Sequence, residues 1–319
     1  MTHHARTRSA VLLGALALAS LGLVGACGND DPKAEDPSPA DSTTGGSPSS
    51  GQSTGPTDEP TDDQSPTSAP PTGSADTVAA PVYFVGDTPQ GPRLYREFRE
   101  VEADNPLEEA AALMTAGDSL DPDYRTLFPG GAVESVTRSE GAGAYVVQLA
   151  DDGWSTPPAG MSRREAKLAV QQLVYTLQGV GQERLPVLVQ LGADPAPLFG
   201  IDTSGGLRNA PPLDVLALVN VTTPEEGATV SGSFTASGVA SSFEATVPWE
   251  IRAGDATGEV VERGFSTAEG WMDKLYPWTT QVDVSDLDPG SYAFVALTDD
   301  PSGGEGPGPT EDSKTITVE

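Results

Sequence analysis

The sequence predicts an α+β domain followed by an all-β immunoglobulin-like sandwich, both carried behind an export segment and a polar tether. Three observations predict this. Over residues 79–209, strand-like runs alternate with two capped helical patterns in the order β-β-α-β-β-α-β, an arrangement of helices on one sheet. Over residues 213–319, seven short β-branched and aromatic runs succeed one another with turn signals between them. Ahead of both, residues 27–78 consist largely of Pro, Ser, Thr, Gly and Asp, too polar to bury a core.

The first 26 residues have the three-part layout of a secretory signal peptide. Arg6 and Arg8 make the start basic, an apolar run extends from Ala10 to Val24, and the small residues Gly25 and Ala26 stand before Cys27. The run is shorter than the ~20 residues a spanning helix needs. Val24-Gly25-Ala26-Cys27 resembles the bacterial lipobox, which implies cleavage between Ala26 and Cys27 and lipidation of Cys27. An ordinary cleaved signal with an incidental cysteine is the alternative, but no core follows in which Cys27 would be buried. Cys27 is the only cysteine, so it has no disulfide partner. Two or more acyl chains, at about 0.8 kcal/mol per buried CH₂, would hold the chain stably on a bilayer. The expected location is the cell membrane, lipid-anchored, on its extracytoplasmic face.

Composition narrows the chemistry. The chain carries 47 acidic against 17 basic residues, a net charge of −30. Such a charge repels nucleic acid and anionic headgroups, so neither is an expected partner. The two histidines, His3 and His4, lie in the cleaved segment. A mature chain without histidine or free thiol has no Ser-His-Asp or Cys-His pair and no His/Cys zinc site. No metal or cofactor is expected, and catalysis would rest on carboxylates, Lys, Ser or Tyr. The linker over residues 27–78 should be disordered, spanning about 40 Å as a flexible coil and more with its proline and like charges.

In the first domain, Pro81–Gly86 (PVYFVG) reads as a strand and Arg93–Val101 (RLYREFREV) as a half-exposed one whose alternation is imperfect. Asn105–Gly117 carries an Asn N-cap, Pro106 at the first helical position, Glu108 at the capping-box position and a terminating glycine. Ala132–Glu140 and Ala144–Ala150 form a hairpin around Gly141-Ala142-Gly143. The next helix opens on a Ser162/Glu165 capping box. Its stripe of Ala166, Ala169, Val170, Leu173, Val174 and Leu177 follows the i, i+3, i+4, i+7 rule. Leu185–Gly192 (LPVLVQLG) is a final buried strand. The set PLEEAAALMTAG, AYVVQLA, AKLAVQQLVYTLQGV, VLVQLG and LFGIDTSGGL resembles a GerMN domain, named from spore-germination lipoproteins, over Val78 to Asn209. One departure is GADPAPLFG, where family members often carry a polar-glycine turn with a further acidic cue. The resemblance implies a non-catalytic extracytoplasmic module, related to folds that assemble into rings in spore envelopes.

After a Pro-rich hinge at Asn209–Leu213, the runs Val215–Val221, Gly232–Ala240, Phe243–Ala253, Gly258–Ala268, Trp278–Ser285, Ser291–Asp300 and Ser313–Glu319 read as sandwich strands. Leu287-Asp288-Pro289-Gly290-Ser291-Tyr292 has the form of a tyrosine corner. Phe294 stands where antibody domains place their second cysteine, and Trp249 is the expected central core tryptophan. Pro248 cannot donate to a ladder, which predicts an edge or bulge there. The phrase VTTPEEGATVSGSFTASGVASSFEATVPWEIR, with GFSTAEG and DLDPGSYAF, resembles the immunoglobulin-like domain of bacterial spore-germination proteins.

Two sets of residues invite a site. Gly270–Trp278 (GWMDKLYPW) gathers Trp271, Tyr276 and Trp278; the favoured reading makes Trp278 core and the loop a sheet-end cover, and the alternative is a stacking platform for sugar or peptide. The acidic pairs Asp121/Asp123, Asp151/Asp152, Asp299/Asp300 and Glu311/Asp312 read as solvated charge, since no calcium-loop pattern is present. A carboxylate-based hydrolase would need two of them converging in a cleft. The favoured expectation is a non-enzymatic, membrane-tethered lipoprotein making protein contacts in the envelope, in sporulation or germination. By analogy with lipoproteins that place a GerMN-type module ahead of a propeller, a sensor kinase is one such partner. The runner-up is a glycan- or peptidoglycan-binding lipoprotein using the aromatic loop.

Overall fold

The structure is a computed structural model that describes residues 76–131, 133–300 and 304–319. These residues belong to one compact unit, Pro70–Glu319. The expected signal peptide, Ala26, Cys27 and the linker up to residue 75 lie outside the described residues; Thr77 and Val78, expected as linker, already belong to the first strand.

Strand β1 (Thr77–Gly86) pairs antiparallel with β2 (Arg93–Glu102) along their full length. The imperfect alternation of β2 has a physical cause. Tyr95 packs into the main core of the α+β part, while Leu94, one residue earlier, is covered on the opposite face by Leu216 and its neighbours. The strand is therefore buried on both faces near its start and amphipathic only further on, where Phe98 is exposed and Glu97 buried.

Helix α1 (Pro106–Ala116) ends at Gly117, whose φ of 72° is the left-handed conformation that glycine adopts without a Cβ penalty. Its expected capping box does not form. Asn105 makes no side-chain cap bond, and Glu108 Oε2 accepts the Val136 N–H instead (3.3 Å), tying the helix start to β3. Helix α2 (Arg163–Val180) does carry its capping box: Ser162 Oγ accepts from the Glu165 N–H (3.2 Å), and Glu165 Oε2 accepts from the Ser162 N–H (2.8 Å). All six residues of its predicted stripe are buried, against Val82, Phe84, Tyr145 and Val147.

Strands β3 (Val133–Ser139), β4 (Ala144–Leu149), β5 (Val187–Leu191) and the two-residue β6 (Asp194–Pro195) form a second sheet in that order. β3 and β4 are the expected hairpin, and β5 lies parallel to β4 because α2 returns the chain across the sheet. The α+β order stands as predicted, but the helices do not cover one sheet. β1 and β2 pair fully only with each other, joined elsewhere by isolated bridges such as Val85 with Arg125. The outer edge of β1 is met instead by isolated hydrogen bonds, Val85 N–H to the Arg125 carbonyl (2.7 Å) and Tyr83 N–H to Thr176 Oγ1 (3.1 Å).

A short helix α3 (Pro212–Val215) replaces the start of the first expected sandwich strand, and β7 follows at Val219–Thr223. Then come β8 (Ala228–Val230), β9 (Ser233–Ala240), β10 (Thr246–Ala253), β11 (Val260–Thr267), β12 (Tyr276–Asp283), β13 (Gly290–Leu297) and β14 (Glu311–Val318). They form two sheets, β11-β10-β13-β14-β8 and β12-β9-β7. Eight strands stand where seven were expected; the extra one, β8, pairs parallel with β14 over three residues, too few for a sequence pattern. Phe294 is fully buried with Phe234, Trp249 and Trp278 around it, ring centroids 5.8, 6.2 and 6.5 Å away. Pro248 is on neither an edge strand nor the bulge, which falls between Ile251 and Arg252. It stands one residue before the β10–β13 ladder starts at Trp249, so its missing N–H costs no bond to β13.

Candidate functional site

The seam between the α+β part and the sandwich is where charge and polarity concentrate. From the α+β side, β2 supplies much of it. Arg93 donates to the Leu213 carbonyl (2.6 Å), the Leu94 carbonyl accepts from Ala217 N–H (2.9 Å), Tyr95 Oη donates to the Glu311 carbonyl (2.8 Å) and Arg96 donates to Thr222 Oγ1 (3.2 Å). The loop after α1 adds Asp121 and Tyr124. From the sandwich, β14 adds Asp312 and Lys314, two residues apart and therefore on one face of the strand.

These four side chains are buried together, each under a tenth exposed. The Lys314 ammonium donates to Asp121 Oδ2, to Tyr124 Oη (2.9 Å) and to Asp312 Oδ1 (3.4 Å), and lies 4.5 Å from the centre of the Tyr124 ring. Tyr124 Oη donates to Asp312 Oδ1 at 2.6 Å. Asp312 Oδ2 accepts from Asn220 Nδ2 (3.0 Å) and Val221 N–H (2.5 Å), and Asp121 Oδ1 from the Asp123 N–H (2.8 Å). Glu97, also buried, accepts the N–H groups of Leu120 and Asp121 and so holds the loop that presents Asp121. Burial pushes the Asp121 carboxyl up to about 6, with Lys314 opposing the shift. Burial alone would lower Lys314, but Asp312 and Asp121 outweigh it and hold the ammonium above its usual range. Burial, then Asp312 and Asp121, raise the Tyr124 hydroxyl far above the ordinary phenol range.

This overturns the solvated-charge reading for Asp121 and Asp312. Two carboxylates do converge, but at 1% and 4% exposure and with their oxygens engaged by donors. With those oxygens bonded to Lys314, Tyr124, Asn220 and backbone N–H groups, the pair is built as a structural contact. Among the described residues no three His, Cys, Asp or Glu are grouped to hold a metal, and no helix is long and apolar enough to cross a membrane.

The aromatic loop is divided. Trp278 is buried in the sandwich core, Tyr276 is half-buried with Gly270 against its ring, and Trp271 is 47% exposed, edge-on to Phe243 at 5.5 Å. Between them Leu275 packs beside Tyr83 against the Leu94–Tyr175–Leu216 cluster, so the loop clasps the α+β part. Trp249 and Tyr292 sit where the sequence placed them: Trp249 is buried beside Phe294, and Tyr292 Oη donates to the Asp288 carbonyl at 2.8 Å.

Among the clefts at or near the seam are two of differing lining. One, of about 480 Å³, lies between the two parts and is lined by Tyr83, Arg96, Tyr175, Asn220 and Lys274 among others. The other, about 570 Å³, runs along the start of α2 beneath Arg163, Arg164, Lys167 and Arg208. Sequence reading missed the seam. The signal that marks it is the alternation in EDSKTITV, which puts Asp312 and Lys314 on the same face as Ile316 and Val318.

Comparison with known proteins agrees with this division. Residues 81–191 match the family described as sporulation and spore germination, and residues 218–305 match the immunoglobulin-like domain of bacterial spore germination. No curated protein matches the chain. Among solved structures, the tandem GerMN domains of the sporulation protein GerM from Bacillus subtilis align at 14% identity and a TM-score of 0.34. That alignment covers 67% of this chain and 64% of GerM, just under two thirds of its length. An endo-β-1,4-mannanase from Thermotoga petrophila aligns at 10% identity and a TM-score of 0.24, covering 51% of this chain and 37% of the enzyme. Both scores are too low to carry an argument. Residues 81–191 thus carry a sporulation and spore germination domain, and residues 218–305 an immunoglobulin-like domain of bacterial spore germination.

Proposed function

We propose that this chain is a non-enzymatic envelope lipoprotein, tethered through Cys27, whose two domains present one continuous docking surface to protein partners. The observation that carries the reading is the buried Lys314–Asp121–Asp312–Tyr124 cluster joining the domains. Two modules on a free hinge would each need their own affinity, whereas modules held rigidly contribute to one interface without an ordering cost at the hinge. The net charge of −30 favours partners with basic surfaces, and the domain families point to sporulation or germination as the process. The extracytoplasmic part of a sensor kinase remains one such partner class.

Proximity labelling from the full chain in its native cell tests this. Enrichment of envelope proteins, reduced when Lys314→Ala loosens the seam, supports the reading; a labelling pattern identical to that of an unrelated tethered protein refutes it. The tether is tested separately. Cys27→Ser should move the protein from the membrane to the soluble fraction, and mass spectrometry should find acyl chains on Cys27 of the native protein.

Binding of cell-wall glycan is the second reading, favoured by the exposure of Trp271 and Met272 on one loop. Insoluble cell wall should then retain the protein, with retention lost in a Trp271→Ala/Tyr276→Ala variant. With Trp278 buried in the core, that loop offers two rings rather than three.

A further inference from the structure

The inter-domain cleft has features that neither docking nor packing uses. Two polar atoms on residues that line it are buried without a hydrogen-bond partner among the described residues: Arg96 Nε, a donor, and Asn220 Oδ1, an acceptor. Each such atom costs about 1–3 kcal/mol when left unpaired. The Asn220 amide cannot be turned round to relieve this. Its Nδ2 faces Asp312 Oδ2, which only accepts, so Oδ1 must point elsewhere.

The rest of the lining is aromatic and cationic. Tyr83 and Tyr175 stand 5.4 Å apart with their rings inclined at 54°. Arg184 and Lys274 line the cleft and form no ion pair among the described residues. Glu183 is the acid beside them, and Arg138 engages it at 2.9 Å. A chain with 47 acidic residues thus gathers three cations around one cavity of about 480 Å³, within the ~300–1,000 Å³ range of ligand clefts. Cations brought together this way repel one another until an anion arrives.

We infer that this cleft binds a carboxylate-bearing sugar. The carboxylate meets Arg96 with Lys274 and Arg184 nearby, a hydroxyl or amide N–H donates to Asn220 Oδ1, and the ring lies against Tyr83 and Tyr175. Aromatic faces and convergent polar groups of both polarities suit a carbohydrate better than an acyl chain, which would leave the two orphan atoms unpaired. The inference goes beyond the docking role and does not depend on it, because sugar uptake and partner capture are read in separate experiments. Both domains contribute to the cleft, so the site exists only where the seam is closed.

Isothermal titration of the full chain with N-acetylmuramic acid, and in parallel with the neutral N-acetylglucosamine, tests it. The acidic sugar should bind roughly tenfold or more tightly than the neutral one, the factor that one charge-assisted hydrogen bond supplies. Lys274→Glu, an exposed change that leaves the fold intact, should weaken the acidic sugar at least tenfold and the neutral one little. Arg96→Met should abolish the preference, with far-UV circular dichroism checking that the variant is folded. Equal binding of the two sugars, no binding of either, or binding indifferent to Lys274→Glu would each overturn the inference. A preference for free lactate or an acidic dipeptide over the sugar would overturn it too, because the ring would then contribute nothing.

Discussion

Replacing Lys314 by Met keeps the length of the side chain and removes its charge. Asp121 and Asp312, at 1% and 4% exposure, would then face each other with no cation between them. Breaking a buried pair by removing one partner costs about 3–5 kcal/mol, because a charge is left uncompensated out of water. A pH signature accompanies the loss. With lysine present Asp121 titrates at about 6. Without it, the carboxyl stays protonated through neutral pH, so above about 6 the folded variant holds one proton more than its own unfolded chain, whereas the wild type holds the same number in both states. Its deficit should grow by about 1.4 kcal/mol per pH unit from there and flatten below. Urea unfolding of the full chain carrying Cys27→Ser, at pH 6, 7 and 8, measures both quantities. Trp154 reports on the α+β part while Trp249, Trp271 and Trp278 report on the sandwich, so a loosened seam should also split one transition into two. A deficit below about 1 kcal/mol that does not change with pH would refute the reasoning.

Asp121→Asn isolates the other side of the same linkage. Because its folded carboxyl titrates above the unfolded value, the wild type loses about 3 kcal/mol as pH rises from about 4 to about 6, and the Asn variant should lack that part of its stability–pH curve. Lys314 has the same sign in a more alkaline window: its contribution is present below its unfolded pKa and lost at higher pH, as it titrates above its usual range. Trp278→Ala should cost about 3–5 kcal/mol in thermal or urea unfolding and Trp271→Ala less than about 0.5, since one is core and the other is loop surface. Gly264→Ala should cost about 1–3 kcal/mol, because a Cβ there would lie 2.3 Å from the Trp249 ring. Ser162→Ala removes a working N-cap and should cost about 1 kcal/mol, whereas Asn105→Ala should be nearly neutral.

Where one face meets one core, local pattern was enough. The stripe of α2, the hairpin of β3 and β4, and the surroundings of Trp249 and Tyr292 all follow from spacing within a dozen residues. The errors fall where a residue answers to something far away. Glu108 left its capping role for the backbone of β3, and β2 lost its alternation because the sandwich covers its second face near Leu94. The acidic pairs were misread for the same reason. Asp121 and Asp123 look alike in sequence, yet one is sealed against Lys314 and the other bonds Ser313 at the exposed rim. Nothing within the loop distinguishes them. Of the aromatic loop, the reading that made Trp278 core stands, since the register of β12 turns that ring inward.

The partner of Asp121 lies 193 residues further along the chain. A polypeptide emerging in order therefore completes every strand of its first domain while that carboxylate still has no counterion. Until β14 arrives, the early domain must hold the group protonated or solvated, and it reaches its final electrostatic state only when the second domain closes. An incompletely made copy would keep that carboxylate in water rather than sealed against β14.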